Sequence, residues 1–147
     1  MGCDIHDLVQ IKRDKKWKTV TLDPVGSPRC YNTFAMLAGV RNGDKIKPVA
    51  EPRGLPEDLG HEIDGDHKFL VGINSEIDVK DAYLGDDSSF WLGDHSHSWL
   101  TLAEMKAYKK PEVIYDYWDD LIKELENIAN ENEAPDDEVR YVFGFDN

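Results

Sequence analysis

An α+β domain, with a mainly antiparallel sheet and helices packed on one face, is the fold class this sequence predicts. Three observations lead there: apolar alternation near both ends of the chain, a helix-start signature at Thr101, and a helical apolar stripe between residues 114 and 129. A chain of 147 residues can bury one core without disulfides, so a single domain over 1–147 is expected.

Residues 3–12 alternate, with Ile5, Val9 and Ile11 on one side and Asp4, His6, Gln10 and Lys12 on the other, which predicts a strand. A polar turn at 13–16 leads to a second β-type run over 17–22, so an N-terminal hairpin is expected. Residues 23–28 break regular structure. Asn32 is placed to cap a short helix ending near Ala38, with Gly39 to stop it. Residues 47–60 carry three prolines and two glycines and read as a surface loop. Short strands are expected at 69–73 and 76–83. Residues 85–92 (GDDSSFWL) and 93–100 (GDHSHSWL) agree at five of eight positions; two copies are too few for a repeat array.

The pattern TLAE at 101–104 fits a capping box, with Leu100 and Met105 spaced as a hydrophobic staple, so a helix from 102 to 109 or 110 is expected before Pro111. Ile114, Trp118, Leu121, Leu125 and Ile128, widened by Ile122 and Ala129, form the stripe of a longer helix whose other face is acidic. Val139, Tyr141, Phe143 and Phe145 then alternate as a strand, expected beside the N-terminal hairpin.

Charge narrows the function. There are 30 acidic against 17 basic residues, a net −13, and the helical segment 112–138 alone holds eleven acids and one lysine. Duplex DNA and anionic membranes would be repelled by that third of the chain, whereas a basic host protein would be attracted to it, as to a nucleic-acid mimic. Fifteen aromatics exclude a disordered tail protein. No run approaches the about 18 apolar residues of a membrane span. Cys3 and Cys30 are too few and too separated for a disulfide framework, so reduced thiols in a host cytoplasm are expected. Gly2 does not read as a myristoylation site, since His6 stands where Ser or Thr is required.

Two segments hold the residues best suited to chemistry. Asp4 and His6, two apart on a strand, should share a face; His95 and His97, if also extended, should point together. The four form a plausible set for one divalent metal (Zn, Mn or Fe), which would polarise a phosphoryl oxygen and make the protein a metal-dependent hydrolase of phosphate esters. Without metal, His95, Ser96, His97 and Ser98, with Arg29, Arg41 and Arg53, suit a small phosphate-bearing ligand, since guanidinium forks grip phosphate at short range. A polar cluster of His61, Asp64, Asp66 and His67 reads as a solvated turn.

Five segments, 2–6 (GCDIH), 34–42 (FAMLAGVRN), 52–56 (PRGLP), 95–101 (HSHSWLT) and 139–147 (VRYVFGFDN), together resemble a family of small uncharacterised bacteriophage and prophage proteins. That resemblance covers nearly the whole chain and implies a viral accessory protein acting on host or anti-phage defence components. The strand motif 4–6 (DIH) and 93–97 (GDHSH) also resemble metal-binding motifs of calcineurin-type metallophosphoesterases. Here two of those motifs overlap and the G-D-x-x-D motif is missing. The leading expectation is therefore an accessory protein that binds a nucleotide-like anion where the N-terminal strand meets residues 95–101; the alternatives are the phosphoesterase and the acidic mimic.

Overall fold

The computed structural model describes residues 2–24, 28–59, 70–73, 76–77 and 89–146. In chain order the elements are β1 (Ile5–Arg13), β2 (Lys16–Leu22), α1 (Tyr31–Ala38), β3 (Leu70–Ile73), β4 (Glu76–Ile77), β5 (Ser89–Trp91), β6 (His95–Thr101), α2 (Leu102–Ala107), α3 (Trp118–Glu131), a 3-10 turn at Asp136–Glu138, and β7 (Val139–Phe145). The main sheet runs β2-β1-β7-β6 with every pair antiparallel. A second, small sheet runs β4-β3-β5, its β3–β5 pair parallel. The molecule is thus α+β, with the chain's first and last strands side by side.

All seven residues of β7 are buried because the sheet is covered on both faces. Val139, Tyr141, Phe143 and Phe145 join Ile5, Val9 and Ile11 under α1, α2 and α3 in the main core. On the opposite face Val142 meets Leu8, Leu59 and Leu92 in a smaller cluster. The loop over 51–59 supplies that second cover. Gly54 N–H donates to His97 O at 2.8 Å, and Gln10 Nε2 donates to Leu59 O at 2.7 Å. Arg140, 2 % exposed, donates to Gln10 Oε1 and to Asp58 Oδ1 and lies 4.2 Å from the Trp17 ring centroid. A guanidinium taken out of water is tolerated there because the two acceptors and the ring replace its hydration.

Helix starts follow local chemistry. The capping box is formed: Thr101 Oγ1 accepts from Glu104 N–H at 3.1 Å, and Glu104 Oε1 accepts from Thr101 N–H at 3.0 Å. α2 ends at Ala107, short of residue 109. α1 begins one residue before Asn32, after Cys30, and Asn32 instead donates to Tyr115 O at 2.8 Å. Gly39 ends α1 at φ +73°, as a left-handed cap requires.

The stripe of α3 is shorter than its sequence pattern. Trp118, Leu121, Leu125, Ile128 and Ala129 are buried, but Ile114 is fully exposed at 104 %. Thr33 Oγ1 accepts the Tyr117 N–H at 2.8 Å and Asp116 Oδ1 accepts that of Trp118, also at 2.8 Å. Those bonds satisfy the first amides of a helix that starts at residue 118, so Ile114 lies at a bend in the irregular lead-in. Residues 78–83, most of the 85–92 copy and the His61–His67 cluster lie outside the described residues. No helix among those described is long and apolar enough to cross a membrane.

Candidate functional site

The C-terminal end of β7 is where the two chemistry-bearing stretches meet, with β7 between them. His6 of β1 lies opposite Gly144, and His95 of β6 lies opposite Phe145. Asp146 fastens the N-terminal side: its N–H donates to Asp4 O at 3.0 Å, its Oδ1 accepts the Asp4 N–H at 3.0 Å, and its Oδ2 accepts from His6 Nε2 at 2.7 Å. An imidazole donating through Nε2 in its neutral form presents Nδ1 as an acceptor. The His6 ring lies 4.5 Å from that of Trp91.

Two glycines make the crossing above β7 possible. A Cβ on Gly144 would stand 2.0 Å from Leu92 O and 2.6 Å from the His97 ring. Gly93 takes φ +84°, and a Cβ there would stand 2.6 Å from Phe145 O. Residues 92–93 therefore lie directly on the β7 backbone. His97 covers Gly144 and donates from Nε2 to Gly93 O at 3.0 Å.

His95 and His97 do not point together. The β6–β7 register shifts between His95 and Ser98, and Ser96 adopts φ +55°, so a bulge re-aims the chain. His95 stacks on Phe145, a helix-face residue, with centroids 6.2 Å apart, and its Nδ1 meets Ser96 Oγ at 3.0 Å. His97 faces the other way, over Gly144. Among the described residues no group of three or more His, Cys, Asp or Glu side chains is gathered to hold a metal ion, and Asp4, His6, His95 and His97 are not brought into such a set.

Cationic groups collect at the N-terminal flank. Arg29 forks onto Asp4, Nε to Oδ1 and Nη2 to Oδ2, both at 2.9 Å, and the fork holds the Asp4 carboxyl below its usual range. The Arg29 guanidinium also fills the space a side chain at Gly2 would need. Arg41, at φ +53°, lies 5.4 Å from the Tyr31 ring centroid and beside the Cys3 thiol. Cys3 is fully buried and its N–H donates to Tyr31 Oη at 3.1 Å; burial pushes its thiol up, away from the nucleophilic thiolate.

Arg53 and Ser98 belong elsewhere. Arg53 forks onto Glu104 at 2.9 and 2.5 Å and lies 4.7 Å from the Trp99 ring centroid; the fork draws the Glu104 carboxyl down to about 2. Ser98 Oγ accepts the Arg53 N–H at 3.0 Å. The pair clips the 51–59 loop to the far half of β6. No family model, curated protein or solved structure matches this chain.

Of the residues singled out from the sequence, Asp4, His6 and His97 lie at the end of β7 with His95 and Ser96 beside them, whereas Arg41 lies against Cys3 and Tyr31. Sequence reasoning missed Asp146 and the close packing that Gly93 and Gly144 permit. Asp146 was within reach of the same alternation rule, since continuing the β7 pattern by one pair places it on the face of Gly144. The two glycines carried no signal beyond being glycine, because the close crossing they permit is a tertiary fact.

Proposed function

We propose that the chain is a phage-type accessory protein that binds a small phosphate-bearing, nucleotide-like ligand at the end of the sheet where residues 3–6, 29, 41, 93–97 and 146 meet. The observation that carries this reading is the gathering of Arg29, Arg41 and His6, from three separate segments, around residues 3–6 of a chain with net charge −13. Hydrogen-bonded forks act at contact distance, whereas the acids elsewhere are screened over about 8 Å at physiological salt. The Asp4 carboxylate in the Arg29 fork marks the geometry that two phosphate oxygens would take on displacing it. Trp91 adds aromatic surface beside His6, of the kind a nucleobase packs on. The viral setting rests on the resemblance of five segments, four of which contribute residues here, and sequestering the ligand is a sufficient activity.

A thermal-shift titration with inorganic phosphate and with nucleoside mono-, di- and triphosphates tests this. At a hundredfold excess over Kd a ligand stabilises by about 2.7 kcal/mol, a rise of several degrees in Tm. Arg41→Ala should abolish that rise while leaving the ligand-free Tm within about a degree, since the side chain is exposed. Absence of any rise with every phosphate compound, or an equal rise in the variant, contradicts the proposal.

A further inference from the structure

The turn of the β1–β2 hairpin lies at the other end of β1, roughly 25 Å from His6 at 3.4 Å per residue. Residues 12–18 read KRDKKWK: five of the chain's 17 basic residues against one acid. Lys12, Arg13, Lys15 and Lys16 are exposed and Lys18 half-buried. On so acidic a molecule a lysine finds carboxylates easily, and Lys106 and Lys110 each close on two. Lys15, Lys16 and Lys18 close on none among the described residues, and Lys12 reaches only the Trp17 ring, at 5.9 Å.

The turn itself carries a second sign. Asp14 and Lys15 occupy its two central positions at φ 52° and 66°, the left-handed pair in which glycine is favoured at the second place. Lysine stands there instead, holding a charge at the apex against the backbone's preference. The tip is also braced. Arg13 Nη2 donates to Asn132 O at 3.3 Å and Oδ1 at 3.2 Å, and Trp17, opposite Lys12, is stacked by the buried Arg140.

We infer that this hairpin tip is a binding surface for the phosphate backbone of single-stranded nucleic acid. Unpaired lysines on a fixed turn, with no aromatic ring fully open beside them, suit a regular polyanion held through charge and counterion release rather than by base readout. A duplex is stiff over about 150 base pairs and would press its other phosphates on the acidic body of the protein. A flexible strand can engage the tip alone. Trp17 is half-buried under Arg140, so the tip offers no apolar wedge for insertion into a lipid surface.

The test is fluorescence anisotropy of a labelled 12-mer oligothymidylate with the intact protein, from 20 to 200 mM salt. The expected result is binding at low salt whose log–log slope is about −3, from four phosphates at about −0.7 each. The double variant Lys15→Gly/Lys16→Gln should weaken binding at least tenfold and flatten the slope by about 1.4, since two of the four contacts at about −0.7 each are lost. Because Gly relieves the turn, its Tm should be unchanged or higher, so loss of binding cannot be loss of fold. Lys109→Gln, at an exposed lysine outside the hairpin and outside the site at the other end of the sheet, should bind the oligonucleotide as the parent does. Absence of binding at 20 mM salt, equal binding by the double variant, tighter binding of a 12-bp duplex, or equal competition by polyglutamate at matched charge each overturns the inference.

Discussion

Asp7 is the residue whose placement costs the fold most visibly. It projects to the helix face between Ile5 and Val9, is fully buried, accepts a hydrogen bond from the Tyr141 hydroxyl at Oδ2, and has no partner at Oδ1 among the described residues. Burial, with the Asp23 carboxylate nearby, pushes its carboxyl up to about 7. Held more tightly folded than unfolded, the proton contributes stability that is complete below about pH 4 and is lost as pH rises to about 7. The window spans roughly three pH units, so the loss is on the order of 4 kcal/mol. Urea unfolding of the parent and of Asp7→Asn should therefore diverge: the parent weakens between pH 4 and 7.5, the variant much less. Parallel pH profiles would contradict this account of Asp7. Alternation alone puts Asp7 on the face of Ile5, Val9 and Ile11; what the sequence does not show is that helices cover that face and that Tyr141 meets the carboxyl there.

At the scale of elements, what fixes the site is the crossing of residues 92–93 over β7. Gly144→Ala would set a methyl group against Leu92 O and the His97 ring, at separations no relaxed contact allows. Overpacking of this kind costs about 1–3 kcal/mol, so the urea midpoint should fall at unchanged m. A neutral result would mean that 92–93 does not rest on β7. Elements whose cause is local were legible in the sequence. The Thr101–Glu104 box, the Gly39 stop and the β7 alternation all depend on residues within one or two turns or strands of each other. The start of α3 was not, because its first amides are satisfied by Thr33, more than eighty residues away, and the apolar Ile114 mimicked one more turn of the stripe. The bulge at Ser96 was hidden for a related reason: a run of alternating histidine and serine suggests an unbroken strand, and only pairing with β7 reveals the shifted register.

Across the whole molecule, the site exists only when the two ends of the chain have met. Asp4 and Asp146 are linked by two hydrogen bonds, and β1 lies along the full length of β7. A ligand held there binds the folded chain and not the unfolded one, so occupancy and global stability rise together. The acidic face of α3 plays a separate part. Asp119 and Asp120 are exposed while Glu126 and Asp119 are engaged by Lys106 and Lys110, which tempers the repulsion an anion would meet. The most direct measurement of the central claim is a backbone amide NMR titration of the ¹⁵N-labelled protein with a nucleoside triphosphate. Shifts should concentrate at residues 3–6, 29, 41, 93–97 and 146. Shifts confined to α3 or the hairpin tip, or none at millimolar ligand, would contradict that claim.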